Sequence, residues 1–170
     1  VQAIGGIYLL VELIAIVLFA VRVLPKAVRV DWIGASPARH LATSAVFVIV
    51  AMAIYMYLVV SFLRDPTADF EASIPILVAS DHSTCVGVIT NLVFALALSL
   101  AADRRSIWPW ADQVVYWLMN VGLVVFAIGL AAEVAELKRI GAPVMGIGIL
   151  LGLALITMRL RASDLRAAEA

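Results

Sequence analysis

The stretch from Leu41 to Leu63 reads LATSAVFVIVAMAIYMYLVVSFL and contains no charged side chain. The hydrocarbon core of a bilayer is about 30 Å thick, and an α-helix needs about 20 apolar residues to cross it. Because backbone polar groups find no water there, a segment that crosses alone must bond to itself as a helix. The stretch therefore predicts a transmembrane helix.

The rest of the chain follows the same pattern. Of its 170 residues, 65% are hydrophobic and 14% are charged, against about 25% charged residues in a typical soluble domain. Five long apolar segments predict an all-α, polytopic membrane helix bundle that forms a single transmembrane domain over residues 1–170. The predicted helices cover about 4–24, 41–63, 74–101, 109–135 and 141–160. Because the chain begins with Val1, we expect that a sixth helix or a signal sequence can precede it.

Proline and glycine refine these boundaries. The third helix can start at Ile74 or at Ser83, and Ser73-Ile74-Pro75 favours the earlier start because proline suits the first turn of a helix. A tight link at Glu136–Arg139 predicts that helices four and five form a hairpin. Close packing between helices is expected from three glycines of helix five, Gly146, Gly148 and Gly152.

Charge limits the partners and suggests an orientation. The formal net charge is zero, which argues against nucleic-acid binding, and a single cysteine excludes an internal disulfide. The expected partners are the lipid bilayer and other membrane subunits or further copies of the chain. The positive-inside rule predicts a cell (inner) membrane protein with its N-terminus outside and its C-terminus in the cytoplasm. The basic residues on the predicted cytoplasmic side are Arg22, Lys26, Arg29, Arg39, Arg104, Arg105, Arg159, Arg161 and Arg166.

His82 is the first candidate for a cofactor-binding and metal-ligating residue. It lies in SDHSTCVGVITN, residues 80–91, and imidazole is a common ligand for transition metals and haem iron. At 100° per residue, His82 and Cys85 face one way, whereas Thr84 and Asn91 face almost the opposite way. The polar residues of this stretch are therefore expected to meet different neighbours. The alternative is an interfacial histidine bonded to a neighbouring helix or to water.

His40 is the second candidate haem ligand. It lies about one turn after Ser36-Pro37, on the side of the membrane opposite to His82, so the two cannot ligate one haem together. A bis-histidine haem would need a histidine from another chain. The alternative for His40 is a solvated residue at the level of the lipid headgroups.

Glu12 is the carboxylate within the first predicted helix, on a face with Gly5, Tyr8 and Ala15. A carboxyl group in a membrane is costly and is expected to serve either as a proton or substrate site or as a protonated link between helices. Asn91 and Asn120 lie in the middle of two helices. Side-chain amides at such depth predict polar contacts between helices.

Two segments, DHSTCVGVITNLVFALAL and WLMNVGLVVFAIGL, carry a resemblance over about 60 residues. They resemble haem-binding membrane proteins of the haem-copper oxidase and NnrS-like group, in which a histidine precedes a glycine and a small polar pair, and a later helix reads Asn-x-Gly. The resemblance implies haem at His82 and a role in electron transfer. The chain has two histidines and such oxidases need six or more, so a reduced relative or an accessory subunit is expected. The matching positions are His82, Gly87, Thr90, Asn91, Asn120 and Gly122.

The segment GGIYLLVELI, residues 5–14, is similar to the first helix of small multidrug-resistance carriers, which use one membrane glutamate for proton-coupled export. The sequence thus favours a small haem-associated or electron-transfer membrane protein, or an accessory subunit of a larger complex. The alternative is a small proton-coupled transporter that uses Glu12. No nucleophile–base pair or complete metal set is present, so no enzymatic reaction is predicted.

Overall fold

The computed structural model describes residues 2–65, 70–101 and 108–168, which are helical apart from the turns that connect them. Five helical stretches in this part of the chain are long and apolar enough to cross a membrane. The predicted all-α fold with five spans is confirmed, and the chain is a multi-pass membrane protein. The helices are α1 (Gln2–Ala27), α2 (Pro37–Arg64), α3 (Phe70–His82), α4 (Asn91–Leu100), α5 (Pro109–Ala131) and α6 (Ala135–Ala168), with a π-helical segment (Ser83–Thr90) between α3 and α4.

The third span is one continuous helix built from three pieces. α3, the π-helical segment and α4 follow one another without a break, and the apolar stretch covers Ser73–Leu100. A start at Ser83 is therefore wrong. The helix has already begun at Phe70, so Ser73 does not cap it and Pro75 lies inside α3.

The hairpin of the last two helices turns earlier than the sequence suggested. α5 ends at Ala131, and Glu133 takes a left-handed conformation with φ of 56°. This conformation lets Val134 N–H donate to Gly129 O at 2.9 Å, which satisfies a free carbonyl at the helix end. The predicted link at Glu136–Arg139 is wrong because these residues already belong to α6.

Glycines bring α5 and α6 into backbone contact. A Cβ atom added to Gly148 would lie 2.6 Å from the backbone nitrogen of Met119, and one added to Gly122 would lie 2.5 Å from that of Met145. Gly146 does not belong to this interface, because a Cβ atom there would meet open space. The prediction of close packing is confirmed at Gly148 and at Gly152, where an added Cβ atom would lie 2.8 Å from a side-chain carbon of Val115 on α5, and Gly141 makes a further close contact with α5.

α2 is the central helix of the bundle and packs against α1, α3, the π-helical segment and α4. A buried apolar cluster around Phe47, Phe94, Met119 and Leu123 joins it to α5 and α6. α1 packs mainly on α2, and most of its surface is exposed. We call the end where α2 and α5 begin the Arg39 end, because Arg39 lies in the first turn of α2 and donates to Asp112 O in the first turn of α5.

Candidate functional site

A chain of buried polar side chains runs from the Arg39 end towards the middle of the bundle. His40 and Asn91 are 1% and 0% exposed, and His40 Nδ1 lies 2.9 Å from Asn91 Oδ1. Asn91 Nδ2 donates in turn to Asn120 Oδ1 at 2.9 Å. The side chain of Asn91 therefore links α2, α4 and α5. We refer to His40, Asn91 and Asn120 as the amide relay.

The surroundings of Asn91 fix the protonation of His40. Its Nδ2 lies 3.2 Å from Val86 O and 3.1 Å from Gly87 O, two groups that only accept hydrogen bonds. The amide nitrogen must point towards them, so Oδ1 points towards His40 and accepts from its Nδ1. His40 Nδ1 therefore carries a proton.

The π-helical segment shapes this site. In a π-helix the backbone hydrogen bonds span five residues, which widens the turn and leaves carbonyl groups for side chains to bond. Thr90 Oγ1 donates to Cys85 O at 2.9 Å, as Asn91 Nδ2 does to Val86 and Gly87. The wider turn also changes the register, so the prediction that Thr84 and Asn91 share a face is wrong. Thr84 is exposed, whereas Asn91 is buried.

Aromatic rings hold His40 in place. Its imidazole stacks on Phe94 with ring centroids 5.6 Å apart, and Tyr116 meets it edge-on at 5.0 Å. The expectation that His40 is solvated at headgroup level is wrong, because helices α4 and α5 cover it. The cavity beside the ring has a volume of about 10 Å³, room for about one water molecule.

Arg39 is a buried cation next to the amide relay. It is 1% exposed, and its guanidinium lies 4.1 Å from the centroid of the Tyr116 ring. Its terminal nitrogens donate to Gln113 Oε1 at 2.6 Å and to Asp112 O at 2.9 Å. Its Nε has no hydrogen-bond partner within the described ranges.

Two further polar contacts complete the Arg39 end. Arg159 of α6 forms an ion pair with Asp112 at 2.7 Å, which ties α6 to the first turn of α5. Gln113 donates through its amide nitrogen to Ile33 O, in the connection between α1 and α2. In that connection, Asp31 accepts from the backbone N–H groups of Ile33 and Gly34, and these bonds lower the pKa of its carboxyl group below 3.8.

The structure places His82 away from the amide relay. Its Nδ1 donates to Val78 O at 2.9 Å, and its ring meets Phe126 of α5 edge-on at 4.9 Å. The side chain is partly exposed, and no hydrogen bond to its Nε2 is found among the residues that the structure covers. His40 and His82 thus do not meet, whereas Asn91 and Asn120 are in direct contact.

Glu12 lies on the side of α1 that faces α2, in line with the partly buried Ile16 and Phe19. Its Oε2 atom is buried and has no hydrogen-bond partner in the described part of the chain. Tyr8, which was expected to share this face, does not reach that oxygen and is 57% exposed.

Sequence reasoning missed Arg39, Asp112, Tyr116 and Arg159. The signal was present on α5, where Asp112, Tyr116 and Asn120 recur every four residues and so share one face. Within the described residues, no group of three or more His, Cys, Asp or Glu side chains could hold a metal ion. Comparison of the chain with protein-family models, with curated protein sequences and with solved structures finds no match.

Proposed function

We propose that this membrane protein is a haem-associated subunit of a larger membrane complex, in which His82 is an axial ligand to a haem shared with a partner chain. The observation that carries the proposal is the state of the His82 ring. A ligating histidine generally donates its second ring N–H to an acceptor, which fixes the tautomer and aims the other nitrogen. His82 Nδ1 donates in this way to Val78 O, and Nε2 is left to bind.

The surroundings of His82 support a shared site. The ring lies about nine residues, or about 14 Å, from the start of the span at Ser73, which is within the hydrocarbon region. A polar nitrogen without a partner is costly at that depth. Because the side chain is partly exposed on the outside of the bundle, a group that binds Nε2 can approach from a neighbouring subunit. Haem would supply one-electron chemistry there.

His40 fits this role less well, and we assign it to the amide relay instead. Phe94 stacks on the His40 ring and Tyr116 contacts it edge-on. The cavity beside the ring has the volume of about one water molecule. A haem at His40 would require these rings to separate.

Haem titration of the purified chain tests the proposal. We expect added haemin to give a shifted Soret band with the wild-type chain and with Asp81→Asn, an exposed neighbour that serves as the control. His82→Gly should lose this band and regain it when free imidazole is added, because imidazole replaces the missing ligand. Equal spectra for His82→Gly and the wild type, without imidazole, would exclude His82 as the ligand.

A second candidate function rests on Glu12. A buried carboxyl oxygen without a partner in a membrane span is typical of a site that takes up and releases a proton. We propose a small proton-coupled transporter as the alternative. In proteoliposomes, Glu12→Gln should abolish substrate-driven proton movement, whereas Glu133→Gln, in the exposed turn after α5, should not. Unchanged proton movement in Glu12→Gln removes this candidate.

A further inference from the structure

An apolar groove of about 870 Å³ runs along the bundle between α2, α3 and α5. We call it the α2–α5 groove. On α2 its lining extends from Thr43 to Tyr57, which corresponds to about 21 Å at 1.5 Å per residue. The groove therefore follows most of the thickness of the bilayer core. His82 is not among the residues that line it.

The size and lining of the groove suit a small molecule. Ligand pockets commonly have volumes of about 300–1,000 Å³, with apolar and aromatic walls and a few polar groups that orient the ligand. Phe47, Tyr57, Tyr116 and Trp117 supply aromatic walls here.

Two hydroxyl groups of the groove, those of Thr43 and Tyr116, meet at the Arg39 end, whereas Ser83 donates to Ala79 O of its own helix and Tyr57 lies at the far end. Thr43 Oγ1 donates its only hydrogen to Arg39 O at 2.9 Å. In the 2.7 Å contact between Thr43 Oγ1 and Tyr116 Oη, Tyr116 must therefore be the donor. Both hydroxyl hydrogens are thus used, and both oxygens keep lone pairs. This end of the groove can accept hydrogen bonds from a ligand.

These constraints select the head group of the ligand. Carboxylates and fully ionised phosphates have no hydrogen to donate to the two oxygens. An ammonium group could donate, but the Arg39 guanidinium lies 4.1 Å from the Tyr116 ring centroid and repels a second cation. Trp32 lines the same end and carries an indole N–H, which donates only. A neutral hydroxyl group can donate to the oxygens and accept from an indole.

We propose that the α2–α5 groove binds an elongated apolar molecule with one neutral hydroxyl head group, of the class of long-chain phenols and alcohols. The head lies against Thr43 and Tyr116, and the chain extends along α2 and α5 towards Tyr57 and Ile128. The site does not depend on the haem proposal.

Tryptophan quenching tests the proposal in the full chain reconstituted in nanodiscs. Trp32 and Trp117 line the groove, so Trp108 and Trp110 are replaced by Phe to isolate their signal. The probes are a 4-alkylphenol with a dibrominated alkyl chain and its methyl ether, which has the same shape but cannot donate. We expect the phenol to bind about tenfold more tightly, which corresponds to about 1.4 kcal/mol and one hydrogen bond.

Two variants make the outcome specific. Thr43→Val with Tyr116→Phe removes both oxygens and keeps the shapes, so the phenol and ether should then differ less than twofold. Ala127→Leu narrows the groove and should abolish quenching by both probes, whereas Ala154→Leu, exposed on α6, should not. Equal binding of phenol and ether to the unsubstituted site, or full binding to Ala127→Leu, overturns the proposal. Equal quenching by brominated phospholipid alone would also overturn it.

Discussion

Asn91 satisfies more hydrogen-bonding groups than any single backbone position of a regular helix could. Its amide nitrogen bonds two carbonyl groups of the π-helical segment and Asn120, and its oxygen accepts from His40. Each of these groups is shielded from water and lipid, so none can find another partner without moving a helix. Asn91 therefore holds both the irregular turn and the contact between helices.

Asn91→Ala should lower the stability of the bundle strongly. It leaves His40 Nδ1–H and Asn120 Oδ1 without partners, and an unsatisfied buried group costs about 1–3 kcal/mol. We expect a loss of about 2–4 kcal/mol in the free energy of unfolding, measured in mixed micelles. Ser99→Ala is the control, because the Ser99 hydroxyl donates to Ala95 O of its own helix and to no other helix among the described residues. Equal losses in the two variants would show that the amide relay does not contribute.

Arg39 acts through the planar shape of its guanidinium as well as its charge. The fork reaches Gln113 and Asp112 while its face covers Tyr116, and a lysine cannot do all three. Arg39→Lys should destabilise the protein by about 2–3 kcal/mol, since hydrogen bonds to charged groups are worth about 1.5–3 kcal/mol. Arg64→Lys, at the exposed end of the same helix, should change stability little. A similar small effect in both variants would contradict the role assigned to the guanidinium.

The α5–α6 hairpin depends on glycine at particular positions. At Gly148 the helices approach so closely that a methyl group would lie 2.6 Å from backbone of α5, whereas at Gly146 it would meet open space. Both residues are glycines of α6, so replacement by alanine changes the helix propensity by the same amount at each position. The two substitutions therefore form a matched pair.

Gly148→Ala should force the two helices apart and cost about 1–3 kcal/mol, the usual penalty for overpacking. Gly146→Ala should be neutral or stabilising by up to about 1 kcal/mol, because alanine favours helix more than glycine. Unfolding of the two variants in the same mixed micelles measures the difference. If Gly146→Ala were the more harmful change, the packing of the hairpin would be wrong.

The connection between α1 and α2 is held by Asp31, whose carboxylate accepts from the N–H groups of Ile33 and Gly34. Asp31→Ala should speed hydrogen exchange at both amides. Because the bonds lower the pKa of Asp31 from its ordinary value, they persist through the pH range in which a free aspartate is protonated and are lost only at lower pH. In Asp31→Ala, hydrogen exchange measured by mass spectrometry should stay unchanged at the amides of α6, which serve as the control. Unaltered exchange at Ile33 and Gly34 would contradict the role of Asp31.

At the scale of the whole molecule, the sequence was sufficient for the five spans, because uninterrupted apolar length leaves a chain in lipid no other option. The same uniformly apolar sequence did not show which residues of the third span share a face. A wider turn at Ser83–Thr90 carries no mark in the composition, and it moves Asn91 away from the face expected for an α-helix. The polar face of α5 was readable, since Asp112, Tyr116 and Asn120 are four residues apart.

The position of His40 shows a further limit of the sequence. A histidine one turn inside a helix is at headgroup level by distance alone, and only the packing of α4 and α5 over α2 reveals that it is enclosed. For His82 the reverse holds. The side chain is partly exposed, and its contacts in the described residues are to Val78 O and the Phe126 ring, so the proposed haem ligation does not follow from the packing of this chain alone.

The absorption spectrum of the chain isolated with its partners from native membranes in mild detergent tests the central claim most directly. The account predicts a Soret band and a reduced-minus-oxidised α band in the wild type and in Asp81→Asn. Both bands should be lost or shifted in His82→Ala, with the helix content unchanged. Folded wild-type protein without either band, or a His82→Ala spectrum identical to the wild type, would contradict the assignment of His82 as a haem ligand.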